Sequence, residues 1–216
     1  MTEAPGYTLY WEAFSGAMAP QVMLEEMAVG YRKVAVDMAR GEHKSPNYLA
    51  VNPTGQVPAL GLPDGTVIGE SAAIVLVLGE RHPEAGLVPR VDDPDRPVFL
   101  RWLVFMAASL YMTFVRFNHP ERFTTDQSAT EPIRAAALSA IDQDFGVLGE
   151  AIGGDPFFLP RGLTALDIYL AMLASWHPDR QALFEREPGV RALCRAVEAR
   201  PSYAKVAAQN RPPGVG

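Results

Sequence analysis

Residues 7–11 alternate apolar and polar positions and are rich in aromatics, the period-two signature of a short strand. The period then lengthens. Met18, Val22, Met23 and Met27 recur at helical spacing with Glu25 and Glu26 on the other face, which predicts a helix over 18–28 capped by Gly30. Alternation returns over 31–36, so the opening of the chain is a strand–helix–strand unit, two parallel strands with a crossover helix. Residues 40–52 are polar and turn-rich, with Ser45-Pro46 favouring a short helix start. Residues 57–62 and 66–68 predict a hairpin around Pro63-Asp64-Gly65, and the apolar run 72–79 a helix ended by Pro83. The order βαβ, then ββα, is a thioredoxin-like layout.

Past Leu87-Val88-Pro89 the pattern changes. A stretch rich in Asp and Pro leads into helical spacing alone: 97–117, 131–152, 164–176 and two shorter helices near 190–199 and 202–209. Thr164 to Asp167 has capping-box spacing with Asp in place of Glu. The fold class expected is therefore an α+β thioredoxin-like domain over 1–88, a linker over 89–95 and an all-α domain over 96–216.

Composition narrows the class further. At 216 residues and 48% hydrophobic the chain can bury one large core or two modest ones. A net charge of −6 with scattered arginines disfavours nucleic acid and anionic membrane. The single cysteine, Cys194, excludes an internal disulfide framework and fits a reducing compartment. The N-terminus lacks the basic-then-apolar order of a leader segment, and the stretch 103–115 falls short of the about 20 residues a membrane span needs. A cytoplasmic protein is expected. No His/Cys/carboxylate spacing suggests a metal.

Candidate chemistry gathers between residues 56 and 71. Val57, restricted by Pro58, offers its main-chain N–H and C=O to an extended peptide as an added strand would. Ser71, after Glu70 and before an apolar run, offers a hydroxyl and N–H groups at a helix start, an anion site. A strand edge beside an anion site suits a short anionic peptide.

On these residues the chain resembles the cytosolic glutathione transferase superfamily over essentially its whole length, most closely the bacterial beta-type and theta-like members. Asn52-Pro53-Thr54-Gly55-Gln56-Val57-Pro58-Ala59-Leu60 is similar to the family's signature loop, with Glu70-Ser71 at the family's distance and Thr164–Asp167 similar to its capping box. The resemblance implies that Pro58 is cis, that Val57 pairs with the cysteinyl part of glutathione, and that Glu70 and Ser71 hold the γ-glutamyl end. It implies a glycine-carboxylate contact for His43, with an exposed loop histidine as an equal alternative, and a side-chain hydrogen bond from Gln56. It further implies a homodimer, glutathione as co-substrate with no separate cofactor, and a helical domain that supplies most of the electrophile pocket.

The activating residues depart from the pattern. Where beta-type enzymes carry Cys-Ser this chain has Gly16 and Ala17; where theta-like enzymes carry an activating serine it has Phe14; and a His-Lys pair is matched by Tyr111 and Met112. Ser15, Tyr10 and Tyr111 are the catalytic candidates left, Ser15 equally as a helix cap and Tyr10 with a sheet aromatic as the favoured reading. Phe14, Met112, Val115 and Trp176 are candidate walls for a small apolar electrophile, with helix core as the alternative. The expected function is transfer of the glutathione thiolate to such electrophiles. The alternatives are a glutathione-dependent isomerase, with Arg116 as its best cation, and a glutathione- or partner-binding protein that has lost its chemistry.

Overall fold

β1 (Tyr7–Trp11) is the pivot of the sheet, and its buried Leu9 is fully enclosed. It pairs in parallel with β2 (Tyr31–Ala35), Tyr7 opposite Tyr31, and antiparallel with β3 (Ala59–Gly61), Leu9 opposite Leu60. β4 (Val67–Ile68) pairs antiparallel with β3, giving the order β2-β1-β3-β4. The molecule is seen here in a computed structural model that describes residues 6–210. Residues 1–5, on which the leader-segment reading rested, and 211–216, at the end of the expected helical domain, lie outside them.

α1 (Met18–Glu26) is the crossover between β1 and β2. It ends two residues before the periodicity predicts, and Gly30 is not its cap. Ala28 takes the left-handed conformation instead, at φ 52°. The Val29 N–H then reaches the Leu24 carbonyl and the Ala28 N–H the Glu25 carbonyl, a Schellman closure on a non-glycine residue. The short α2 (Pro46–Leu49) is capped by Ser45, which accepts from the Tyr48 N–H. α3 (Ser71–Arg81) buries Ile74, Val75 and Leu78.

The chain divides into two compact units. One takes residues 6–90 and 199–210; the other is Val91–Glu198. The composition break near residue 90 is where the units divide, but the last stretch differs from the expected 96–216 domain. α10 (Pro201–Ala207) packs on α1. Arg200 and Ser202 grip the Glu26 carboxylate, Lys205 Nζ lies 2.7 Å from Glu25, and Asn210 Nδ2 donates to Gln21 Oε1 at 3.3 Å. Burial of Tyr203 and Val206 supplies the apolar part of that interface. Its partners lie more than 170 residues apart in the sequence, beyond the reach of periodicity.

In the second unit, α4 (Arg96–Phe105) runs through a π turn over Met106–Leu110 into α5 (Tyr111–Asn118). The single long helix expected thus widens in its middle with neither Pro nor Gly between residues 98 and 118. By length and composition its 23 residues, unlike the shorter stretch 103–115, are enough to cross a membrane. Phe99, Leu103, Met106, Leu110 and Phe114 are nevertheless buried in this unit's core. α6 (Thr130–Ala151) faces α5 with Ile141, Phe145 and Leu148. α7 (Ala165–Ser175), buried along its whole length up to Ala174, packs on α4 and on α9 (Pro188–Glu198), which follows the short α8 (Arg180–Arg186).

The capping box at α7 forms around its acid. Asp167 accepts from the Thr164 N–H at 2.7 Å, from the Thr164 hydroxyl at 3.0 Å and from the Phe158 N–H at 2.6 Å. Burial outweighs those three bonds and pushes its carboxyl up to about 6. Cys194 is enclosed in the same unit, and burial pushes its thiol up to about 12, so it is an inert core residue.

Candidate functional site

The centre of the site is the peptide between Val57 and Pro58, which is cis. Pro58 has no N–H for a ladder, so β3 begins only at Ala59, two residues later than the alternation predicts. Val57 is buried to 9% exposure and packs with Val36, Tyr48, Tyr10, Met38 and Val51. Among the described residues nothing bonds its main-chain N–H or C=O. Buried main-chain groups are nearly always paired, so this edge can take a further main-chain partner.

The loop that leads into it is latched from several sides. The Gln56 carbonyl accepts from the Tyr48 hydroxyl at 2.6 Å and from Asn52 Nδ2 at 2.8 Å. Asn52 Oδ1 in turn accepts from the Thr54 N–H and hydroxyl. Lys44 Nζ donates to the Gly55 carbonyl at 3.0 Å. Gly55 has φ 60°, and a Cβ there would lie 2.8 Å from both the His43 carbonyl and Lys44 Nζ, so only glycine fits. A Cβ on Gly69 would meet Asn52 Nδ2 at 3.4 Å, so the Asn52 amide also touches the segment that carries Glu70 and Ser71.

Glu70 rather than Ser71 is the N-cap of α3, and Ser71 is its first helical residue, 7% exposed. Glu70 is exposed and sits at φ 61°, ψ 108°, a conformation that costs an L residue about 1–3 kcal/mol and concentrates at binding sites. It turns the chain so that Ser71 and the first N–H groups of α3 sit at one end of β4. His43 lies in a 3₁₀ turn over Glu42–Lys44, with its Nδ1 buried and unbonded among the described residues. The Gln56 side chain is exposed, and its carbonyl is the part that the fold uses.

Of the catalytic candidates, Ser15 is the most constrained. Its hydroxyl donates its one proton to the Glu12 carbonyl at 2.7 Å and accepts from the Ala17 N–H at 3.2 Å. The side chain therefore closes the turn before α1, and while that bond stands it has no proton for a sulfur. Phe14, just before it, is half-buried at φ 55°, rare for a bulky residue. The Tyr10 ring meets Tyr48 edge-on at 6.0 Å in the cluster around Val57, the sheet-aromatic placement.

Tyr111, Met112, Val115 and Trp176 belong to the other unit. Tyr111 and Trp176 meet edge-on at 5.1 Å, and Phe114 packs against Trp176 and Phe145. Met112 is 40% exposed and Val115 half-buried, whereas Phe114 is core. Arg116 is exposed and donates to Thr113 Oγ1 at 3.0 Å.

Tyr48 is the residue that sequence reasoning passed over. It stands four residues before Asn52, and the Asn52 N–H bonds the Tyr48 carbonyl, so the two side chains share one side of a helical turn. That spacing, next to a proline-entered strand, was the available signal.

Comparison with known proteins gives one family, whose members include transferases and, at 26% identity over 95% of this chain, a Pseudomonas aeruginosa maleylacetoacetate isomerase. Residues 17–81 match the family model described as the glutathione S-transferase N-terminal domain. The chain is 30% identical over 201 residues to the tobacco (Nicotiana tabacum) glutathione S-transferase PARB, covering 88% of this chain and 92% of that one. Among solved structures it resembles a glutathione transferase homologue from Sulfitobacter with bound glutathione, at TM-score 0.87, 27% identity and coverage of 94% and 97%. It also resembles the bacterial beta class glutathione S-transferase of Sphingomonas chungbukensis, at TM-score 0.80, 26% identity and coverage of 93% and 97%.

Proposed function

Because the chain belongs to the glutathione S-transferase family, we propose that it binds glutathione along the Val57 edge and transfers the thiolate to small apolar electrophiles. The observation that carries this reading is the pair of unbonded main-chain groups on buried Val57, next to the strained turn at Glu70 that presents Ser71. An extended cysteinyl residue pairs with both groups, as in an antiparallel ladder. The γ-glutamyl carboxylate lies at the start of α3, on Ser71 and the helix N–H groups, and its amine faces Glu70. His43 and Gln56 serve the glycine end.

The thiol needs about 2.7 kcal/mol to fall two units from about 8.5. A charge-assisted hydrogen bond provides about 1.5–3 kcal/mol and a helix start about 0.3–2 kcal/mol. The Ser15 proton is engaged, the Ala17 and Met18 N–H groups are bonded as well and Pro20 has none, so the field of the α1 start is what this end of the helix offers the sulfur. The thiolate then attacks an electrophilic carbon, adding to it or displacing its leaving group, with half-buried Phe14 as an apolar neighbour on the same unit. A homodimer in the cytoplasm completes the reading on family resemblance.

The engaged Ser15 favours one second reading, a glutathione-binding protein with weak chemistry. Ultraviolet titration of bound glutathione separates the two. A depressed thiol pKa supports the transferase, whereas tight binding with an ordinary thiol pKa supports the binding protein.

A further inference from the structure

We propose that Tyr48 is a positioning residue for glutathione, acting through the peptide group that joins Gln56 to Val57. This inference rests on the glutathione reading above and names the residue that aims its central hydrogen bond.

The carbonyl of that group belongs to Gln56 and its N–H to Val57. In a trans peptide the two point in opposite directions. The Gln56 carbonyl is held by the Tyr48 hydroxyl at 2.6 Å and Asn52 Nδ2 at 2.8 Å, so the Val57 N–H faces the other way, where nothing among the described residues bonds it. Two donors on one carbonyl fix the plane of the amide. They also polarise it, which strengthens the N–H as a donor. Both effects favour a ligand carbonyl placed opposite Val57.

Tyr48 suits the task better than a loop residue would. It is 6% exposed, its ring packs in the cluster with Val36 and Val57, and Tyr10 meets it edge-on. Burial pushes its phenol up to about 12, so it remains a donor at any assay pH. Asn52, 6% exposed, is the second donor and ties the same carbonyl to the loop through Thr54.

The test is Tyr48→Phe in the full chain, which keeps the ring and removes one donor. Loss of one such bond predicts that the glutathione Kd and KM rise about 3- to 10-fold. The kcat at saturating glutathione and the KM for a chloronitrobenzene probe stay at wild-type values. In the free protein the Val57 amide nitrogen resonance moves to lower frequency, because its partner carbonyl has lost a donor. Unchanged glutathione affinity overturns the inference, as does an unmoved Val57 amide. A wild-type chain with no affinity for glutathione overturns the functional reading itself, and is distinguished because wild type and variant then fail alike.

Discussion

Ser71 and Ser15 are both serines at the start of a helix, yet their surroundings give them opposite expected sensitivities. Ser71 is a buried first-turn residue of α3, where the proposed reading puts the ligand carboxylate. Replacing it with alanine removes a bond to a carboxylate, and calorimetry should show glutathione binding weakened about 10- to 100-fold. Ser15 spends its proton on the Glu12 carbonyl. Ser15→Ala should leave the thiol pKa of bound glutathione where it is and cost about 1 kcal/mol of stability. A thiol pKa that rises in this variant would return Ser15 to the catalytic role. Order along the chain singled out Val57, Pro58 and Ser71 as candidates. The direction of a hydroxyl proton is invisible there, since it depends on a carbonyl whose orientation only the folded turn sets. Tyr48 was hidden for a similar reason: its partner is a main-chain oxygen.

Among elements, α7 shows how much a sequence signal can carry and where it stops. The spacing Thr164 to Asp167 located the helix start, and the structure places Thr164 as its N-cap. The third bond, from the Phe158 N–H, comes from outside the motif. It helps bury the acid, and with burial comes a pH dependence. Unfolded, Asp167 titrates near 3.8; folded, near 6. The folded chain therefore binds the proton more tightly, and this contribution is present below 3.8 and lost as pH rises through about 6. Its full size is on the order of 3 kcal/mol. Denaturant titrations between pH 4 and 7 should show that downward slope, and Asp167→Asn should flatten it. Two other misjudged features, the end of α1 at Ala28 and the π turn at Met106–Leu110, lack Pro or Gly at the deviation, so nothing in their residue types marks them, unlike the late start of β3 at Pro58.

For the whole molecule, the sheet unit borrows its last helix from the far end of the described chain. Glu25 and Glu26 bind α10 through Lys205, Arg200 and Ser202. Burial acts against their ionisation, but these partners prevail and hold both carboxyls below the usual range. A lowered folded pKa contributes stability above the unfolded value of 4.5 that is lost as pH falls through the folded one, the reverse of Asp167. Removing the chain from residue 199 onward exposes the surfaces that Tyr203 and Val206 cover and should cost the sheet unit about 3–5 kcal/mol. Hydrogen exchange of the α1 amides measures it, and unchanged protection would show that α10 is dispensable. This arrangement also orders events during synthesis. Residues 6–90 emerge from the ribosome long before their closing helix exists. The nascent sheet must wait, with α1 uncovered, until the intervening hundred or so residues have been translated, so this unit matures late although it is encoded first.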